Sequence, residues 1–123
     1  MKKKKEIGIP KTQYIFQRYN GIITKYIINE EYYIDVETGI AMKKNETILL
    51  GNISENIIDL IEVDDIVHTR DVLNEDIAYI WSEEYLKAIK EDLSSGIELV
   101  DILTKEQYSQ NCYKVKKGGY LNG

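Results

Sequence analysis

At 123 residues and 14.3 kDa the chain has the size of one domain, and its 43% hydrophobic content excludes wholesale disorder. No apolar run approaches the roughly 20 residues of a transmembrane helix, and the one cysteine, Cys112, excludes a fold that depends on an internal disulfide. The formal net charge of −5 is unevenly spread: Ser54 to Gln107 holds 15 acidic against four basic residues, while the rest holds 12 basic against six acidic. That split predicts an acidic face.

Residues 1–13 begin with Lys2 to Lys5, contain Gly8 and Pro10 and show no period, so they read as a flexible basic arm. Lysines open signal peptides too, but no hydrophobic stretch follows; export is not supported and a cytoplasmic location is expected. A single β-rich domain is expected over 14–116, with a frayed tail over 117–123. The abundance of Ile, Val, Leu and Tyr suits strands. Ile22 to Ile28 predicts one, Tyr32 to Val36 a second and Ile40 to Met42 the start of a third. Glu37-Thr38-Gly39 forms the tight turn of the resulting hairpin.

Thr47 to Leu50 is a short apolar run ended by Gly51-Asn52. Asn56 to Ile61 is apolar at both parities, which periodicity cannot assign, and its length favours a strand. A turn at Glu62 to Asp65, extended structure at Ile66 to Thr69 and a strand at Asp76 to Trp81 follow. Ser82 is a suitable N-cap, with Glu83 and Glu84 in the first turn and Tyr85, Leu86, Ile89 and Leu93 on one stripe. Gly96 completes the signature of a helix near 83–94. Ile97 to Leu103 predicts a strand, Thr104-Lys105-Glu106-Gln107 a capping box opening a short helix near 105–110, and Cys112 to Val115 a closing strand. The sum is a mainly β, α+β chain: a small antiparallel barrel or bent sheet with two helices.

Catalytic chemistry has little to work with. His68 is the only histidine and Cys112 the only thiol, and nothing local brings them together. Two such ligands are too few for structural zinc, and Asp64, Asp65 and Asp71 lack EF-hand spacing. No phosphate-cradling glycine loop is present. The expectation is a non-enzyme without cofactor or metal. Lysines at the N-terminus offer only salt-sensitive attraction to nucleic acid, which the acidic middle opposes, so direct nucleic-acid binding is not expected. Tyr79 and Trp81 share a parity and read first as core, second as interface anchors.

Asn56 to Val67, Ile102 to Tyr108 and Tyr113-Lys114-Val115 together resemble a pattern in small uncharacterised proteins encoded by phages and prophages of AT-rich Firmicutes. In that pattern Gly-Asp-Tyr-Val stands where this chain has Asp64-Asp65-Ile66-Val67, which puts the tight turn in question, and the helix near 83–94 resembles an insertion. The resemblance implies an SH3-like β-barrel and a phage accessory role in the host cytoplasm, with no catalytic residue to carry over.

The first functional expectation is therefore an anti-CRISPR-like inhibitor that binds a host nucleic-acid-binding defence effector. Glu83, Glu84, Glu91 and Asp92 would make the contact, with Tyr79 and Trp81 as anchors. The alternatives are a sponge for a nucleotide signal, using Tyr79 or Trp81 with Arg70 or Arg18, and a self-assembling structural or replication module.

Overall fold

The computed structural model describes residues 12–109. The expectations for the basic arm over most of its length, for the closing strand at Cys112 to Val115, for the end of the last helix and for the tail lie outside them. Within them the chain is mainly β, arranged as two antiparallel sheets and two helices. The expected barrel does not close; each sheet keeps its own two edges among the described residues.

Sheet A is built from β1 (Gln13–Tyr19), β2 (Ile22–Ile28), β3 (Tyr32–Asp35), β4 (Ala41–Lys43) and β5 (Asn52–Ser54), in the order β4-β3-β2-β1-β5. Tyr19 pairs with Ile22 across a two-residue turn, in which Asn20 (φ 52°) and Gly21 (φ 77°) both take the left-handed conformation that a type I′ hairpin demands. The hairpin of β3 and β4 turns where expected, its Asp35 carboxylate accepting from the backbone N–H of Glu37 at 2.8 Å.

Asn56 to Ile61 is not the expected strand: Ile57–Leu60 forms a 3₁₀ turn. The Asn56 side chain caps it, accepting from Ile58 N–H at 3.1 Å, and a tight turn buries Leu60 and Ile61 while Ile57 and Ile58 stay half-buried. Sheet B follows, from β6 (Ile66–Arg70), β7 (Glu75–Tyr79) and β8 (Glu98–Leu103), in the order β7-β6-β8. Helix α1 (Glu83–Ser94) is inserted between β7 and β8. Its cap is the expected one, Ser82 Oγ accepting from Tyr85 N–H at 3.1 Å, and Gly96 (φ 125°) ends it.

The apolar core belongs almost wholly to this second half. Ile61, Val67 and Ile80 are buried with Leu86, Ile89 and Leu93 of α1, and Ala78, Leu99 and Ile102 pack against them. Each fully buried aliphatic side chain here contributes about 1.5–3 kcal/mol. In sheet A the buried side chains are Tyr26 and Arg18.

A polar joint fastens the two halves. Arg18 reaches from β1 with both Nη atoms on the Asp65 carboxylate, Nη1 also donating to Leu60 O at 2.9 Å and Nη2 to Glu106 at 3.0 Å. Asp65, fully buried, accepts in addition from the N–H of Glu62 at 2.7 Å and of Lys105 at 2.9 Å. Burial works against the Arg18 charge, but the bonds to Asp65 and the nearby Glu62 and Glu106 more than restore it, so its pKa lies above the ordinary arginine value. The capping box forms as expected, with Thr104 N–H donating to the Gln107 side chain at 3.0 Å and Gln107 N–H to Thr104 Oγ1 at 3.2 Å. Thr104 Oγ1 also donates to Gly21 O at 2.6 Å. The helical residues 105–109 thereby sit on the β1–β2 turn, where a Cβ at Gly21 would lie 2.3 Å from that of Glu106.

The turn expected at Glu62 to Asp65 forms without a glycine. Asp64 itself adopts φ 77°, a conformation that aspartate tolerates better than most residues, and Asp65 N–H closes the turn on Glu62 O at 3.1 Å.

Candidate partner-binding surface

Strand periodicity divides sheet B into two faces. Val67, Ala78, Leu99 and Ile102 point into the core with α1. The opposite face presents three cross-strand rows: Tyr79 beside Ile66 and Leu103, Ile77 beside His68 and Asp101, and Glu75 beside Arg70 and Glu98. Ile77 is 75% and Tyr79 50% exposed. At the far end of β7 the carboxylate of Asp71 accepts from the N–H groups of Leu73 and Asn74 at 2.9 and 2.7 Å. This shapes a hairpin tip that holds Val72 and Leu73 outward, 98% and 86% exposed. Trp81, two residues past β7, is 66% exposed and stacks on Tyr85 with ring centroids 6.1 Å apart. Val72, Leu73, Ile77, Tyr79 and Trp81 thus follow the length of β7 as an exposed apolar series.

Carboxylates are interspersed along that series. Tyr79 donates its hydroxyl proton to Asp64 at 2.6 Å, a bond that, with some desolvation, holds the phenol above its ordinary pKa. Glu75 is clasped by His68 Nε2 and Arg70 Nε, each at 2.9 Å, and these contacts hold its carboxyl below the usual glutamate range. Arg70 also lies 3.6 Å from Glu98. Asp71 and Asp76 are exposed with their charge unopposed by any ion pair among the described residues.

The residues nominated from the sequence fall in two places. Tyr79 lies on the open face of sheet B and Trp81 just beyond β7; both are exposed, which corrects the reading of the pair as core. Glu83, Glu84 and Glu91 lie on α1, which packs on the other side of the sheet. They share one face of α1 with Lys87 and Lys90, so the helix is not uniformly acidic. Asp92 is exposed on α1 outside that face. Val72 and Leu73 lie outside every sequence expectation, and Ile77 enters only as part of the expected strand Asp76 to Trp81. Two large apolar side chains inside a turn whose ends are Asp71 and Asn74 were the available signal, because turn positions ordinarily go to small or polar residues.

Arg18, one of the cations considered for a nucleotide, is committed to the joint. A cleft of about 590 Å³ does open between the sheets, within the size range of ligand sites. Its lining includes Phe16, Ile23, Lys25, Glu37 and Asp101. Lys25 stands over the Tyr14 ring at 4.2 Å, and two carboxylates face that one ammonium. Among the described residues no group of three or more His, Cys, Asp or Glu is placed to hold a metal ion, and no helix is long and apolar enough to cross a membrane. Comparison with protein-family models, with curated proteins and with solved structures finds no match to the chain.

Proposed function

We propose that the protein acts by occupancy, binding a basic protein surface in stoichiometric amount and blocking it, with a nucleic-acid-binding effector of a phage's host as the partner class. The observation that carries this reading is the concentration of charge in one half of the molecule: 15 acidic against four basic residues between Ser54 and Gln107. Asp65 is neutralised inside by Arg18, but most of the other carboxylates remain in solvent. Such a surface steers a basic partner into encounter and competes with phosphate for the same groove. The resemblance to phage-encoded proteins supplies the host context. A nucleotide sponge is less well supported, because Arg18 and Arg70, the cations proposed to grip a phosphate, are already bound to carboxylates.

The test is titration of purified host nucleic-acid-binding effectors with the protein while release of a labelled DNA is followed by anisotropy. Release should saturate near one equivalent and weaken steeply with salt. Reversing charge at Glu83, Glu84, Glu91 and Asp92 should reduce it while leaving the thermal midpoint nearly unchanged. Inhibition that persists far below one equivalent would mean turnover, and the occupancy reading would fall.

A further inference from the structure

The geometry points to the edge of β7 that is open among the described residues as a docking site for an extended, lysine- or arginine-bearing strand of a partner protein, an inference that rests on the basic-partner reading and names where the partner is seated. β7 is an outer strand of sheet B and pairs only with β6 among the described residues. Just past it, Ile80 N–H donates to Asp65 O at 2.9 Å. Backbone groups of an antiparallel strand alternate between its two sides. Ala78 and Asp76 therefore bond inward to β6, and Glu75, Ile77 and Tyr79 direct their N–H and C=O groups at the open edge. The same three residues carry the exposed side chains of the outer face. An added strand would find main-chain partners and apolar neighbours at the same positions, which is the mode of recognition by strand addition.

Charge selects the occupant. Asp71 and Asp76 lie beside this edge with no ion pair among the described residues, Asp76 on the side opposite to Ile77 and Tyr79. Carboxylates on an edge strand discourage pairing with a second acidic copy, since β7 against β7 would bring two such sets together. A strand with lysine or arginine alternating with aliphatic residues answers both features, its cations meeting the carboxylates and its apolar side chains covering Ile77 and Tyr79. The apolar tip of Val72 and Leu73 extends the same contact beyond the strand.

The probe is a short peptide of alternating lysine and valine, added to the full-length ¹⁵N-labelled protein, beside a helix-forming lysine–alanine peptide of equal charge and an alternating glutamate–valine peptide. Amide shifts at Glu75, Ile77 and Tyr79, preference for the lysine–valine strand, and a loss of about tenfold or more in its affinity in Ile77→Pro are expected. Ile77→Lys, which leaves the backbone donor in place, serves as the second variant if proline unfolds the edge, and it should weaken binding too. Equal binding of both lysine peptides, or shifts confined to α1, would reduce the contact to diffuse electrostatics and overturn the inference. So would a dimer in solution that Ile77→Pro dissolves. Strong exchange protection of the Ile77 and Tyr79 amides in the free protein, with no peptide shift, would place one of the chain's own termini on the edge and overturn it as well. Should a DNA-binding effector be inhibited with Ile77→Pro as active as wild type, the edge fails and occupancy stands. Should the peptide bind β7 while no effector is inhibited, the edge stands and occupancy fails.

Discussion

The two halves of the molecule hold together by different physics. Sheet B closes over an aliphatic core, with Val67 and Ile80 fully buried against α1. Sheet A buries a tyrosine and an arginine, and it is anchored to its neighbour by charge: Arg18 on Asp65 and Glu106, with Thr104 on the backbone of Gly21. A hydrophobic core tolerates changes of shape in proportion to the volume lost. A buried ion pair tolerates the loss of either member badly, because the remaining charge has no solvent to turn to.

Substitutions on each side can break this contrast or sharpen it. Asp65→Ala, which strands the Arg18 guanidinium and two backbone donors, should cost about 3–5 kcal/mol in urea unfolding. Hydrogen exchange should then show sheet A and the residues 105–109 losing protection before the β6 amides do; uniform loss would make the halves a single cooperative unit. Ile80→Ala should cost about 2–5 kcal/mol, with the loss spread first over β6, β7 and α1. Gly21→Ala meets Glu106 and a left-handed backbone together, and about 1–3 kcal/mol of destabilisation is expected. A melting temperature unchanged from wild type would mean that the residues 105–109 yield freely.

The smallest effect is a pH dependence. The folded Glu75 carboxyl titrates below its unfolded value because His68 and Arg70 hold it ionised. Its stabilising contribution is therefore complete above the ordinary glutamate pKa of about 4.3 and is lost as the pH falls through the lower, folded value. Glu75→Gln should flatten the urea midpoint against pH across that acid window, lowering the neutral plateau by the lost contribution and leaving the acid end near wild type. Parallel curves for the two proteins would mean that the clasp carries no stability.

Features written within a few consecutive residues were legible in the sequence. The β3–β4 turn, the Ser82 cap, the Gly96 stop and the Thr104–Gln107 box each involve partners at most a few positions apart, so residue type and spacing decide them. β1 is not among the expected strands, although Asn20-Gly21 between two β-rich runs is a strong hairpin signal. Asn56 to Ile61 was ambiguous for a physical reason: a buried 3₁₀ turn and a buried strand are both apolar at every position. The Arg18–Asp65 pair joins residues 47 positions apart, and no local pattern announces it. The exposure of Tyr79 and Trp81 was equally hidden, since parity shows which residues share a face but not whether another layer covers that face.

The joint has a consequence for the order of events at the ribosome. Sheet A is complete once Ser54 has emerged, yet Arg18 must wait for Asp65 and then for Glu106, 88 residues downstream of it. At synthesis rates of roughly 5–20 residues per second that interval is about 4–18 s. Through that interval the Arg18 guanidinium keeps the hydration that the finished protein strips from it, and docking of the halves waits on translation of residues 105–109.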